Sequence, residues 1–199
     1  MKNALTLLLI LMHLSVFAQP ATTTGRLSGN YLLSNVVIEG ETNINGFTFS
    51  FENSKININP EQSKLIKELT HNEIVEFYIP VRAFRGSNSL MEEDFQSILK
   101  ADNYPMVRVG IEKQKLNSII SENNDQNLNF YLTIAGVTKK IGGNYQISVC
   151  NKDEFILQGT THVKLTDFGI TPPKKMLGVL YVKDVIFIKF DIIISTLNI

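Results

Sequence analysis

The sequence predicts an all-β fold, on three observations: repeated two-residue alternation of apolar and polar side chains, turn chemistry between the alternating runs, and one interruption at helical spacing. In Gly46-Phe47-Thr48-Phe49-Ser50-Phe51-Glu52 the rings of Phe47, Phe49 and Phe51 must share one face, with Thr48 and Ser50 on the other. The run from Glu73 groups Val75, Phe77 and Ile79, continued by Val81. From Met106 to Glu112, Val107, Val109 and Ile111 oppose Arg108 and Glu112. Tyr145–Val149 and Phe155–Gln158 repeat the pattern. In Asp184–Ser195, Ile186, Ile188, Phe190, Ile192 and Ile194 face away from Lys189 and Asp191. These are half-buried antiparallel strands, apolar inward and polar outward.

Turn residues separate the runs. Asn45-Gly46 is a two-residue hairpin signal, and Gly136-Val137-Thr138 and Asn151-Lys152-Asp153 close two further hairpins. Gly142-Gly143 inside a strand pattern predicts a bulge or sharp bend. Met91, Phe95, Ile98 and Leu99 recur at helical spacing, and Ser89 with Glu92 reads as a capping box, so a helix of about three turns is expected from Ser89 to Lys100. Tyr104-Pro105 ends it. A second helix is expected from Glu61 to Leu69. Seven or eight strands at this spacing make a sandwich or a barrel.

Residues 1–18 read as a secretory signal: Lys2, an apolar run from Ala4 to Met12, then Val16-Phe17-Ala18 as the cleavage site, leaving a chain that begins at Gln19. The apolar run is shorter than the roughly 20 residues that span a bilayer. An exported, soluble product, periplasmic or extracellular, is expected, with residues 19–199 as one domain. Lys and Arg number 19, as do Asp and Glu. This balance gives no basic face for nucleic acid and no cationic membrane footprint. The single cysteine, Cys150, has no partner in the chain and is expected to be buried as a small apolar residue.

Catalytic constellations are missing. His71 reads as a loop residue, and His162 falls on the polar side of its strand with Gln158, Thr160 and Lys164. Neither has a second histidine at metal-ligand spacing. Asp167-Phe168-Gly169 spells a kinase tripeptide without the lysine and glycine loop that give it meaning, and reads as a turn. Glu92 and Glu93 lie on a helix surface, with no apolar setting to raise a carboxyl pKa. No enzyme, cofactor or metal site is expected.

Four stretches in order carry a family resemblance: Gly40-Glu41-Thr42-Asn43-Ile44-Asn45-Gly46-Phe47; Ile79-Pro80-Val81 with Asn88 to Phe95 and Tyr104-Pro105; Leu132 to Lys139; and Thr166-Asp167-Phe168-Gly169-Ile170 with Pro172-Pro173 and Val182-Lys183-Asp184. With them the chain resembles the YceI-like family of secreted polyisoprenoid-binding proteins. The resemblance implies a lipocalin-like antiparallel β-barrel of about eight strands with one or two short helices. It also implies an elongated apolar ligand, an isoprenoid chain or isoprenoid quinone, held without cofactor chemistry. Many members carry cysteines near the positions of Phe49 and Gly86, which this chain lacks.

In such a barrel the lumen-facing residues are Phe47, Phe49, Phe51, Val75, Phe77, Ile79, Val107, Val109, Leu132, Ile134, Phe155, Leu157, Ile188 and Phe190. Met91, Phe95, Phe168, Met176 and Leu177 would form the mouth or lid. Periodicity assigns a face, not a cavity, so residue by residue the pattern favours packed core, and it is the family resemblance that implies a hollow barrel. The alternative function is then a filled barrel that binds an envelope protein through its loops, with Lys174-Lys175-Met176-Leu177-Gly178 as the contact. The oligomeric state is not legible in the sequence.

Overall fold

The alternating runs become strands: β1 (Gly29–Glu41), β2 (Gly46–Glu52), β3 (Ile74–Pro80), β4 (Met106–Glu112), β5 (Asn127–Ile134), β6 (Val137–Asn151) and β7 (Glu154–Lys164). Two short strands, β8 (Lys174–Lys175) and β9 (Leu180–Tyr181), precede the last long one, β10 (Val185–Thr196). The computed structural model describes residues 29–52, 74–121 and 127–196. The expected signal segment, the expected helix at Glu61–Leu69 and His71 lie outside these residues.

Eight strands form one antiparallel sheet in the order β2-β1-β10-β7-β6-β5-β4-β3, and β8 and β9 pair separately. The order is a meander from β3 to β7, extended by β10 and then by the β1–β2 hairpin. The sheet curls into a half-barrel. Its outer strands, β2 and β3, do not form a ladder with each other. The curl is instead pinned where Ser50 of β2 exchanges two backbone hydrogen bonds with Arg85, which follows β3: Ser50 N–H to the Arg85 carbonyl at 2.9 Å and the reverse at 2.8 Å.

Local chemistry sets the turns. Ala135 and Gly136 join the paired residues Ile134 and Val137, both with positive φ (48° and 82°), as a two-residue hairpin of the mirror-image type requires. This turn sits one residue earlier than the sequence pattern placed it. Lys152-Asp153 turns between Asn151 and Glu154, with the Asn151 side chain accepting from the Asp153 N–H at 3.0 Å. The Asn45-Gly46 hairpin is not a two-residue loop. Thr42 to Asn45 form it, because the Thr42 hydroxyl oxygen accepts from the N–H groups of Ile44 (3.1 Å) and Asn45 (2.9 Å), and Gly46 is already paired with Glu41.

Gly142-Gly143 makes no bulge, since β6 runs past it in unbroken register with β5. The glycine serves a close approach: a Cβ on Gly143 would lie 2.8 Å from the Thr160 carbonyl oxygen of β7. The irregularities fall between Leu33 and Asn35 in β1 and between Val149 and Asn151 in β6. Cys150 occupies the second of these and is exposed, contrary to its expected burial. There β6 has outrun the core, and Val149 beside it is 68% exposed.

The expected helix is present as α1 (Ser89–Ile98), in the connection from β3 to β4. Its cap is Asn88, not Ser89: the Asn88 side chain accepts from the Met91 N–H at 3.0 Å. Glu92 therefore does not close a capping box. It accepts from the Gly86 N–H at 3.1 Å and lies 3.8 Å from Arg85. A helix that the alternation did not reveal, α2 (Lys113–Ser121), joins β4 to β5 and buries Leu116 and Ile119. Because β4 separates the two helices, α1 and α2 sit at opposite ends of the half-barrel. Asp167-Phe168-Gly169 is the expected turn: it lies at the end of a 3-10 turn, Leu165–Phe168, which Gly169 terminates at φ 68°.

Candidate apolar cavity

The inner face of β10 changes character along its length. Ile192 and Ile194 are fully buried, whereas Ile188, on the same face of the same strand, is only half-buried. The α2 end is filled. Leu116, Leu128, Leu157 and Ile111 are each 0% exposed there. The α1 end holds a half-open cavity of about 1300 Å³.

Nine of the expected lumen residues line this cavity: Phe47 and Phe49 of β2, Ile79 of β3, Val107 and Val109 of β4, Leu132 and Ile134 of β5, and Ile188 and Phe190 of β10. The other five do not. Phe51, Val75, Phe77 and Leu157 are buried in the packed core, and Phe155 packs against it half-buried. These five belong to the same packed cluster as Leu116 and Ile119 of α2, and Phe51 packs against Phe84 with centroids 5.9 Å apart, whereas the nine border open space.

The expected mouth residues divide as well. Met91 and Phe95 line the cavity. Phe95 stacks on Phe49 with centroids 4.3 Å apart and lies 5.3 Å from Phe84. Phe168 is no lid; it is buried and does not reach the cavity. Leu177 projects fully into solvent at φ 56° and also lies outside the lining. The side chain of Met176 lies outside the description.

Other lining residues were not singled out by the alternation. Leu33, Val36 and Ile38 of β1 all point inward, although Leu33 and Val36 have opposite parity. The irregularity at Ser34 adds a residue between them, so Leu33 faces Ile192 while Val36 faces Phe190. Phe84 and Phe130 also line the cavity, and Phe130 meets Phe190 edge-to-face at 5.6 Å.

The mouth is built by α1, the β1–β2 loop and the β8–β9 hairpin. Asn43 ties the last two together: its backbone N–H donates to the Tyr181 carbonyl (3.1 Å), its side chain donates to the Val179 carbonyl (2.9 Å) and accepts from the Tyr181 N–H (3.1 Å). Lys175 of the hairpin pairs with Asp94 of α1 across the opening. Lys183 pairs with Glu41 at 2.5 Å, and that hydrogen bond holds the Lys183 ammonium above its ordinary pKa. Asp184 accepts from the Thr166 hydroxyl (2.7 Å) and N–H (2.9 Å), which lowers its carboxyl pKa. Ile44, Leu90, Leu177, Val179 and Tyr181 are exposed on these rim elements.

Among the described residues, the buried polar side chains are Thr133, whose hydroxyl is 2.9 Å from that of Thr138, and Thr161, which donates to the Gly142 carbonyl at 2.7 Å. No group of three His, Cys, Asp or Glu side chains among them could hold a metal. His162 is exposed on the outer face, its ring 6.2 Å from that of Phe187. No helix among the described residues is long and apolar enough to cross a membrane.

Two solved structures share this fold. One is a polyisoprenoid binding domain from Saccharophagus degradans implicated in plant cell wall breakdown, 9% identical with a TM-score of 0.61, the match covering 86% of this chain and 100% of that one. The other is BcnA of Burkholderia cenocepacia, 16% identical with a TM-score of 0.54, covering 80% and 94%. At such identities the likeness is one of fold. No curated protein matches the chain in sequence. The YceI-like domain matches residues 20–194, and the chain belongs to that family.

Proposed function

We propose that this protein is a non-enzymatic carrier in the cell envelope, binding an elongated apolar molecule such as an isoprenoid, an isoprenoid quinone or a similar lipid in the hollow end of its half-barrel. The observation that carries this is the apolar-walled cavity of about 1300 Å³, lined at its open side by residues of α1, the β1–β2 loop and the β8–β9 hairpin. It exceeds the roughly 300–1,000 Å³ of ordinary small-molecule sites. Each methylene moved from water into such a site contributes about 0.8 kcal/mol, so diffuse apolar contact suffices for binding. The polyisoprenoid binding of the Saccharophagus degradans relative supports the ligand class. The Met1–Ala18 pattern supports export. Buried polar groups limited to two hydrogen-bonded threonines, among the described residues, favour binding over chemistry.

Organic-solvent extraction of the exported protein, followed by mass spectrometry, tests this. A stoichiometric apolar molecule supports carriage, and a clean extract from protein that also takes up no added lipid contradicts it.

A second reading, contact between the loops and an envelope protein, is favoured by the exposed Ile44, Leu90, Leu177, Val179 and Tyr181 around the mouth. Charge substitution at Leu177 and Val179 separates the two. It spares lipid uptake by the isolated protein and abolishes partner capture if this second reading holds.

A further inference from the structure

We infer that the cavity is blind, with one mouth and a closed floor, so that it takes the terminal part of an apolar chain and leaves any longer remainder outside. This rests on the carrier reading and sharpens it by fixing which part of a ligand is recognised.

The floor is made by the edge-to-face rings of Phe130 and Phe190, with Leu33 and Val109 beside them in the lining. Behind it the described residues leave no lumen. Ile192 and Ile194 of β10, Leu128 of β5 and Leu157 of β7 are each 0% exposed, and Leu116 of α2 closes that end at 0%. Along β10 the lining runs from Ile186 to Phe190 and stops. Those four residue steps measure roughly 13 Å, against roughly 36 Å for the eleven steps of the whole 12-residue strand. The hollow part thus occupies about a third of the strand's length. A ligand that threaded the full barrel would have to displace side chains at close-packed density, a cost the mouth end does not impose.

Affinity should therefore depend on chain length only until the floor is reached. The exported protein is titrated with the prenyl alcohols geraniol, farnesol, geranylgeraniol and solanesol, by displacement of a fluorescent apolar probe. Each methylene buried contributes roughly fourfold in affinity, so a steep rise is expected from geraniol to farnesol. From geranylgeraniol to solanesol the change should stay within about twofold, because the added units remain in water. A rise of more than about tenfold over that last step would overturn the blind floor while leaving carriage intact. No binding by any of the alcohols would overturn both.

Substitutions on either side of the floor give a second readout. Ile188→Trp, within the hollow, should weaken farnesol binding by about tenfold or more, the equivalent of nearly two buried methylenes. Ile192→Val, behind the floor, should leave it within about twofold, since no ligand atom reaches that position. Equal losses from the two would place ligand beyond Phe190 and contradict the inference.

Discussion

The ring of Phe49 lies over Gly86: a Cβ built on residue 86 would sit 2.7 Å from its Cε1. Phe95 of α1 stacks on the same ring at 4.3 Å. One aromatic side chain thereby joins β2, the segment after β3 and the helix, beside the Ser50–Arg85 bridge that pins the curl.

Removing the stacked partner should loosen the helix. Phe95 is half-buried, so Phe95→Ala is expected to cost about 2–3 kcal/mol, below the roughly 3–5 kcal/mol of a fully buried ring. Urea melts measure it. A change near zero would mean that α1 contributes no docking energy at the mouth.

The floor of the cavity depends on a glycine in the neighbouring strand. Phe190 of β10 lies over its direct partner Gly159 in β7, where a Cβ would meet the ring at 2.0 Å. Gly159→Ala should destabilise by about 1–3 kcal/mol through overpacking, and Phe190→Leu in the same chain should recover part of that loss. Strict additivity of the two in thermal melts would show that the ring does not rest on that strand.

Acid should release the 3-10 turn at Thr166. The Asp184 carboxyl is held below its ordinary value by the hydrogen bonds from Thr166. A depressed carboxylate contributes stability that is fully present above its unfolded pKa and is lost as pH falls through the lower folded value. Asp184→Asn should therefore be less stable than the parent at neutral pH, with the difference shrinking on acidification below about pH 4. Melting temperatures across that range check it, and a constant difference would remove Asp184 from the account of acid sensitivity.

Cys150 should behave as an accessible thiol. It is exposed at the irregular end of β6 and forms no disulfide. Complete maleimide labelling of the native protein is expected; labelling only after denaturation would mean the thiol is covered in solution.

Much of the sheet was legible because burial enforces alternation: the inward set Ile186, Ile188, Phe190, Ile192 and Ile194 could be read directly from β10. The inward residues of β1 could not, because the extra residue at Ser34 swaps parity between Leu33 and Val36, and only pairing with β10 reveals it. Helix α2 escaped because it is only nine residues long and its apolar set, Leu116, Ile119 and Ile120, spans little more than one turn, too brief a stripe to stand out. Cys150 misled because alternation gives a side chain's face and not whether the core extends that far. The cavity itself was the least legible feature. Ile188 and Ile194 are the same residue type on the same face, and only the packing of distant elements decides that one borders space and the other does not.

The chain contains no tryptophan, so a single substitution supplies an unambiguous reporter inside the cavity. Phe47 suits it, being half-buried and part of the lining. The Phe47→Trp protein, titrated with farnesol and followed by indole emission, should melt close to the parent and shift to the blue in a saturable, one-to-one manner as the ligand replaces water around the ring. A protein destabilised by about 1–3 kcal/mol, as overpacking of a filled interior requires, with no saturable change in emission, would contradict the hollow carrier.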